Sequence, residues 1–228
     1  MKNSTNVLRI KAVNNDLGNL RDKVVYVGGA TVSFYADRPV YEIRVTDDID
    51  VIIEILNYND RIELENKLRA MGFENDIESG IICRYKTRGV IVDIMPTDDP
   101  SIGFSNKWYP DGFIAAVDHT IDEFHTIKIL TAPYFLATKL EAFKGRGQGD
   151  GRTSQDFEDI VFVLENRQTI WEELNQCAGK LKEYFIIEFT ALLKHAYLYE
   201  WIDAHVERNS PPQTNPILSA LRKFCQQG

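Results

Sequence analysis

The sequence predicts an α+β protein, with a mixed α/β part up to about residue 130 and an all-helical part after it. Two observations support this fold class. In the first part, short runs of β-branched and apolar residues alternate with stretches in which apolar residues recur at helical spacing. From Pro133 onward the composition turns helical and stays so. The boundary between the two parts is soft, because no long linker separates them.

Length and charge limit the classes of function. The 228 residues suit one large domain or two small ones. A net charge of −8 argues against generic, charge-driven binding to nucleic acid, although a local basic patch stays open. No run approaches the roughly 18 apolar residues of a membrane span, and the first residues lack the apolar core of a signal peptide. We therefore expect a soluble, cytoplasmic protein without a membrane partner.

The cysteines indicate neither a disulfide framework nor a zinc site. Cys83, Cys177 and Cys225 are scattered along the chain and show no CxxC spacing. Their odd number and wide separation are typical of reduced thiols.

The first predicted elements lead to a double glycine. A helix is expected near residues 4–21, and a short buried strand over residues 23–27. Gly28 and Gly29 follow, and residues 32–35 begin a short helix. A helix start offers backbone N–H groups to an anion, and glycine permits close approach. The alternative is an ordinary tight turn, since the pattern is neither Walker A nor GxGxxG.

A pair of acids opens the next predicted strand. Asp48 and Asp50 lie within an apolar, β-branched run, so their side chains point to one face while Ile49 and Val51 point to the other. Two adjacent like charges repel and resist burial, and a divalent cation between them relieves this. The alternative is a strand entrance with solvated acids.

A helix over residues 60–71 and a hairpin come next. The hairpin pairs strands over residues 80–85 and 90–95 around a turn at residues 86–89. Its second strand is almost continuously apolar except for Asp93. A buried carboxylate needs a partner, which is either a metal ion or, alternatively, a neighbouring Arg or Lys.

Residues 96–131 are predicted to be irregular, with a short apolar piece at residues 127–130. His119 and His125 lie in this region without metal-ligand spacing, so we interpret both as loop or surface histidines.

The all-helical part begins with a helix over residues 134–144 that carries Lys139. Residues 145–152 form a glycine-rich, basic loop, which is either a flexible linker or a phosphate-binding loop. A helix capped by residues 153–154 carries Asp156. Residues 168–206 are predicted to form two amphipathic helices, of which the second is rich in aromatic residues that we assign to the core. A break at residues 209–212 and a last helix over residues 217–224 complete the prediction.

Three carboxylates thus come from two strands. If these strands are neighbours, Asp48, Asp50 and Asp93 meet at one edge of the sheet, in an oxygen-rich site that suits Mg²⁺ or Mn²⁺. The turn at Gly28 and Gly29 leaves a third strand and offers N–H groups to phosphate. Two metal ions in such a site orient a triphosphate, activate a nucleophile and stabilise the leaving pyrophosphate.

The order of these features resembles the nucleotidyltransferase fold of the DNA polymerase β superfamily. Within that superfamily, the chain is similar to the AbiEii-type nucleotidyltransferases, many of which are toxins of toxin–antitoxin systems. The resemblance extends over about residues 23–165 and does not include the helices after residue 168. It is carried by four stretches, Val27-Gly28-Gly29-Ala30-Thr31, Arg44-Val45-Thr46-Asp47-Asp48-Ile49-Asp50, Lys139-Leu140-Glu141-Ala142 and Asp156-Phe157-Glu158-Asp159-Ile160.

The resemblance implies a role for each matching residue. The triphosphate would be held by Gly28, Gly29 and Thr31, and the metals by Asp48 and Asp50. Asp93 would be the third carboxylate, which also helps to deprotonate the acceptor hydroxyl. Lys139 and Asp156 match the family's third and fourth motifs and would contribute to nucleotide binding. Residues 1–130 would form the catalytic domain and residues 131–228 a helical domain that completes the nucleotide site.

Two departures from the family pattern affect these expectations. Many relatives have Ser or Thr directly after the double glycine, where this chain has Ala30, so a hydroxyl contact has to come from Thr31 or is absent. The glycine-rich insertion between Lys139 and Asp156 replaces a shorter connection, which leaves roles for Lys144, Arg146 and Arg152 open.

The implied activity is transfer of a nucleoside monophosphate from an NTP to a hydroxyl acceptor with release of pyrophosphate. Relatives modify RNA ends, proteins or small molecules, and a cognate antitoxin is an implied partner. Two alternatives stay open. One is a non-catalytic toxin–antitoxin interaction module on the same fold, and the other is a metal-dependent phosphodiesterase that uses the same acids.

Overall fold

The computed structural model describes residues 4–38, 44–55, 58–98, 106–147, 149–208 and 213–226. The chain forms two compact units. The first consists of Met1–Phe34 and Tyr41–Thr131, and the second of Tyr35–Val40 and Ala132–Gly228. Every helix among the described residues is too short or too polar to cross a membrane.

The first unit is built on a mixed sheet that has seven strands within the described residues. In chain order the strands are β1 (Val24–Val27), β2 (Asp48–Ile53), β3 (Glu74–Asn75), β4 (Arg84–Thr87), β5 (Val90–Pro96), β6 (Val117–Thr120) and β7 (Thr126–Ile129). Their order across the sheet is β3-β4-β5-β2-β1-β7-β6. The central strands β1, β2 and β5 are largely buried, as their apolar, β-branched sequences predict.

Strand directions place two acidic strands side by side. β2 runs parallel to β5, with Asp50 level with Asp93, and antiparallel to β1, with Asp50 opposite Val27. β7 runs parallel to β1 on the other side. The condition stated for the three carboxylates, that their strands be neighbours, is therefore met.

The hairpin of β4 and β5 is tighter than predicted. Its loop consists of Arg88 and Gly89, whose φ angles of 47° and 80° are those of a two-residue type I′ turn. The strand therefore runs on to Thr87, and residues 81–83 precede it as a turn instead of belonging to it. The tight turn sets the register and brings Arg84 opposite Asp93.

The prediction that residues 96–131 are irregular is wrong for most of the described part of that stretch. It contains α3 (Tyr109–Ile114) and the antiparallel pair of β6 and β7. The sequence of β7 alternates strictly, with Ile127 and Ile129 buried and their neighbours exposed. β6 is an edge strand without a buried face, so it carries no apolar pattern by which to predict it.

The helices of the first unit flank this sheet. The predicted helix over residues 4–21 is α1 (Thr5–Asp16), capped by the Ser4 hydroxyl, followed by a 3₁₀ helix over Gly18–Lys23. A second 3₁₀ helix, Gly29–Tyr35, follows the double glycine. The helix predicted over residues 60–71 is α2 (Tyr58–Ala70), which stops ahead of Gly72.

The second unit is helical, as predicted. Its helices are α4 (Ala132–Arg146), α5 (Gln155–Asn166), α6 (Ile170–Gln176), α7 (Gly179–Leu193), α8 (Leu198–Asp203) and α9 (Thr214–Gln226). Residues 168–206 form three helices and not two, because the chain breaks before Gly179 and again at residues 194–197. The break predicted at residues 209–212 lies outside the described residues.

Aromatic side chains form much of the core of the second unit. Phe189 lies between Phe185 and Phe224, with ring centroids 5.4 and 5.7 Å apart. The core role predicted for the aromatics holds for most of them, but Tyr197 and Tyr199 are about half exposed.

Part of the glycine-rich loop is packed against this core. A Cβ atom at Gly151 would lie 2.7 Å from the Trp201 ring. The side chain of His205 forms a 2.7 Å hydrogen bond with the Gly151 carbonyl oxygen. The loop around Gly151 is thus held in place and is not a free linker there, whereas Gln148 lies outside the described residues.

Candidate metal centre

Asp48, Asp50 and Asp93 come together as predicted. Asp50 is level with Asp93 on the neighbouring parallel strand, and Asp48 lies two residues earlier on the same face of β2. One carboxylate oxygen from each residue lies within 4.8 Å of the others. Asp93 is buried, whereas Asp48 and Asp50 are partly exposed, so the cluster opens to solvent on the β2 side.

The donor set fits a divalent cation. All three groups are carboxylates, the hard oxygen ligands that Mg²⁺ and Mn²⁺ prefer. Two ligands on one ion, each at roughly 2.0–2.6 Å, lie at most about 4–5 Å apart. The oxygen atoms of the cluster lie within 4.8 Å of one another, at the upper end of this range. The three carboxylates can hold a divalent metal without rearrangement of the strands.

Arg84 neutralises part of the cluster. Its Nε donates to Asp93 Oδ1 and its Nη2 to Asp93 Oδ2, each over 2.8 Å. The same Nη2 also lies 2.8 Å from Asp48 Oδ2. The alternative considered for Asp93, a salt bridge to a neighbouring arginine, is therefore present together with the cluster.

Arg84 was not singled out from the sequence. Counting back from a two-residue turn at Arg88 and Gly89 pairs Arg84 with Asp93, so the turn type was the missing information. The longer predicted turn gives a different register, in which this pairing does not occur.

Burial and charge shape the electrostatics of the site. Burial, together with the negative charge of Asp93, raises the pKa of Asp48 above its usual range, against the opposing effect of Arg84. Burial and the charge of Asp93 also raise the pKa of the Cys83 thiol to about 11. Cys83 is thus a neutral thiol at ordinary pH.

The glycine turn lies directly against Asp50. Gly28 follows the last residue of β1 and has a φ of 72°, which L side chains rarely adopt. A Cβ atom at this position would lie 1.9 Å from Asp50 Oδ2. Only glycine allows the backbone to approach the carboxylate this closely, so the turn and the acidic cluster form one site.

Thr31 stabilises this turn from inside. It is fully buried, and its hydroxyl donates to the Gly28 carbonyl oxygen over 2.9 Å. Its backbone N–H also points to that oxygen, at 3.3 Å. The hydroxyl is thus engaged within the turn, and the nucleotide contact expected of it stays a prediction.

Helix α1 is hydrogen-bonded to the segment that leads into β2. The buried Asn6 side chain donates to the Arg44 carbonyl over 2.9 Å and accepts from the Thr46 N–H over 3.1 Å. Arg9 donates to the Thr46 carbonyl. The Thr46 hydroxyl donates to the Asp48 carbonyl over 2.9 Å. Asn6 and Arg9 were missed, although a polar residue on the apolar face of α1 was visible in the sequence.

Lys139 and Asp156 meet in the second unit. Lys139 Nζ lies 3.2 Å from Asp156 Oδ1 and 2.6 Å from Asp159 Oδ2, with all three side chains buried. Arg146 contacts both oxygens of Asp156, at 2.6 and 2.8 Å. Burial alone would raise the pKa of Asp156, but the pairs with Arg146 and Lys139 outweigh it and lower that pKa. Asp159 was missed, although its spacing of three residues from Asp156 places both on one face of α5.

The two histidines have structural contacts. His119 packs on Phe34, with ring centroids 4.4 Å apart, and burial lowers its pKa. His125 Nδ1 lies 2.8 Å from Asp122 Oδ1, and its Nε2 lies 3.2 Å from Asn15.

The fold is similar to that of a known nucleotidyltransferase-like protein. The crystal structure of an antigenic nucleotidyltransferase-like protein from Paracoccidioides brasiliensis matches 90% of this chain and 95% of its own, with a TM-score of 0.51. The two sequences are 19% identical, so the likeness concerns the fold. It confirms the predicted nucleotidyltransferase-type architecture of a mixed sheet with flanking helices and a helical part. No family model and no curated protein matches the chain.

Proposed function

We propose that this protein is a metal-dependent nucleotidyltransferase, which moves a nucleoside monophosphate from an NTP to a hydroxyl acceptor and releases pyrophosphate. The observation that carries the proposal is the convergence of Asp48, Asp50 and Asp93 on one face of two parallel strands. The position of Gly28 against Asp50 adds a backbone turn where a triphosphate can approach. The nucleotidyltransferase-like fold is consistent with both features.

Each residue has a proposed task. Asp48 and Asp50 hold Mg²⁺ or Mn²⁺, which when bound neutralises the triphosphate and polarises the reacting phosphorus. Asp93 completes the ligand set and takes the proton of the acceptor hydroxyl. The backbone of Gly28 and Gly29 contacts the phosphates, whose negative charge suits backbone N–H groups.

A narrower assignment rests on the sequence resemblance. We propose membership of the AbiEii-type nucleotidyltransferases, a toxin role with a cognate antitoxin, and action in the cytoplasm. The acceptor is an RNA end, a protein or a small molecule. Lys139, Asp156 and Thr31 keep the nucleotide-binding roles that the resemblance implies. Catalysis by residues 1–130 and a nucleotide-binding contribution from residues 131–228 belong to the same proposal.

A labelling screen tests the activity. Each of the four NTPs, labelled at the α-phosphate, is incubated with the protein and Mg²⁺ in the presence of total tRNA, of the protein alone, or of aminoglycosides. The wild type is expected to label one acceptor class. The variant carrying Asp48→Asn and Asp50→Asn is expected to lose roughly 100-fold or more of this labelling, because its metal ligands are neutralised.

Asp47→Asn is the matched control. Asp47 directly precedes Asp48 and is exposed, so its change removes one charge without removing a ligand, and labelling should stay within about twofold. Shortening of the RNA in place of labelling would favour the phosphodiesterase. Labelling that survives the double substitution would refute the mechanism.

A further inference from the structure

Arg84 lies within the carboxylate cluster but has no task in the proposed reaction. Its guanidinium bridges two of the three carboxylates and contacts both oxygens of Asp93 and one oxygen of Asp48. The fork of N–H groups on a carboxylate is the strongest hydrogen-bonded ion pair that an arginine forms. The side chain of Arg84 is about one-fifth exposed and that of Asp93 is buried, so solvent screens their pair only weakly.

The placement of Arg84 follows from the hairpin. The type I′ turn at Arg88 and Gly89 sets Arg84 directly across from Asp93 on the adjacent strand. Asp93 is in turn level with Asp50 on β2. The guanidinium therefore lies within the carboxylate cluster because of the sheet register and not because of a loop conformation.

Arg84 and a metal ion compete for the same carboxylate groups. A divalent cation has to approach carboxylate oxygens to within roughly 2.0–2.6 Å. Both oxygens of Asp93 and Oδ2 of Asp48 already accept N–H groups of Arg84. A divalent ion beside an undisplaced guanidinium would also experience direct charge repulsion. In the metal-free protein, by contrast, the positive charge of Arg84 offsets the repulsion among the three carboxylates.

We propose that Arg84 is a positioning residue that holds Asp48 and Asp93 in the metal-free protein and gives up at least one of these pairs when a divalent cation binds. Arg84 thereby keeps the ligands arranged before metal arrives and lowers the affinity for the metal. This inference rests on the metal site of the proposed function. It adds that Arg84 determines how tightly a divalent cation binds at this site.

Metal binding to the full chain tests the inference without reference to activity. Mn²⁺ is titrated calorimetrically into the wild type, Arg84→Gln and Arg84→Lys. We expect Arg84→Gln to bind Mn²⁺ about tenfold more tightly than the wild type, because the competing cation is gone. Arg84→Lys keeps the charge but cannot form the fork, so its affinity should fall between the two. Equal or weaker binding by folded Arg84→Gln overturns the inference.

Two controls separate the possible failures. Arg69→Gln makes the same charge change on an exposed part of α2 and should leave the affinity within twofold. Asp48→Asn should lose Mn²⁺ binding, because a ligand is removed. If neither the wild type nor Arg84→Gln binds Mn²⁺, the proposed function fails together with the inference. If both bind equally well, only the inference fails.

A measurement on the wild type covers the case in which Arg84→Gln does not fold. The Nε–H resonance of Arg84, assigned by its loss in Arg84→Lys, reports on the hydrogen bond to Asp93 Oδ1. Addition of Mg²⁺ is expected to shift this resonance as the pair rearranges. A resonance that stays unchanged at saturating Mg²⁺ refutes the displacement.

Discussion

At the scale of single residues, Gly28 shows how closely backbone and carboxylate are fitted together. Its positive φ is one reason for glycine, and the contact with Asp50 is a second and independent one. The sequence suggested Gly28 as a phosphate-binding position but also allowed an ordinary turn. The structure shows that any side chain at this position would displace a predicted metal ligand.

Gly28→Ala is expected to destabilise the protein by roughly 2–4 kcal/mol, because the left-handed backbone and the overlap with Asp50 both cost free energy. Mn²⁺ affinity should fall as well, since Asp50 has to move. Urea unfolding and calorimetric titration measure the two effects. Gly145→Ala is the control. It lies within α4, its Cβ meets open space, and we expect unchanged or slightly higher stability. Unaltered Mn²⁺ binding by Gly28→Ala would show that the turn does not support the site.

At the scale of elements, helix α1 and strand β2 act together. Asn6 donates to the Arg44 carbonyl and accepts from the Thr46 N–H just before β2 begins. The Thr46 hydroxyl then donates to the carbonyl of Asp48, the first of the three clustered carboxylate residues. The contribution of α1 was outside the sequence prediction, because side chain to backbone bonds between distant segments leave no periodic pattern.

Asn6→Ala should therefore weaken both folding and metal binding. Loss of its two bonds leaves buried backbone groups without that partner, at a cost of about 1–3 kcal/mol. Asn14→Ala is a close control, since Asn14 is on the same helix, is equally buried at 2% exposure, and pairs with the Tyr26 hydroxyl. We expect Asn14→Ala to lower stability but to leave Mn²⁺ affinity unchanged. Equal Mn²⁺ affinities of the two variants would contradict the anchoring role of α1.

Across the whole molecule, features that depend on nearby residues were predicted correctly from the sequence, whereas features that depend on contacts between distant segments were not. The period of two in β2 placed Asp48 and Asp50 on one face, and the neighbouring position of β5 made the third carboxylate converge. The pairing of Arg84 with Asp93 was not predicted, because the turn was expected over residues 86–89 and not at Arg88 and Gly89 alone. The edge strand β6 buries no apolar face, so hydrophobic patterning could not reveal it. The alternation of side chains along one strand could thus be predicted from the sequence, whereas the register between strands and the position of a strand at the sheet edge could not.

Asp48 and Asp156 respond to acid in opposite directions. The pKa of Asp48 is raised, so the folded protein binds its proton more readily than the unfolded chain and gains stability as pH falls toward the ordinary carboxyl value. The pKa of Asp156 is lowered by its pairs with Arg146 and Lys139. Its contribution is complete above the ordinary pKa of about 4 and is lost as pH falls through the lowered value.

The loss of folding stability in acid should therefore depend on Asp156 in the second unit. Asp156→Asn is expected to cost about 3 kcal/mol at neutral pH, because it breaks a buried ion pair, and to flatten the loss of stability below pH 5. Urea unfolding between pH 3 and 7, in the presence of EDTA, measures the profile. Glu158→Gln removes a carboxylate from the same turn of α5 and should change the profile less, because Glu158 is only partly buried whereas Asp156 is buried. If Asp156→Asn loses stability below pH 5 as steeply as the wild type, carboxylates other than Asp156 cause the acid destabilisation.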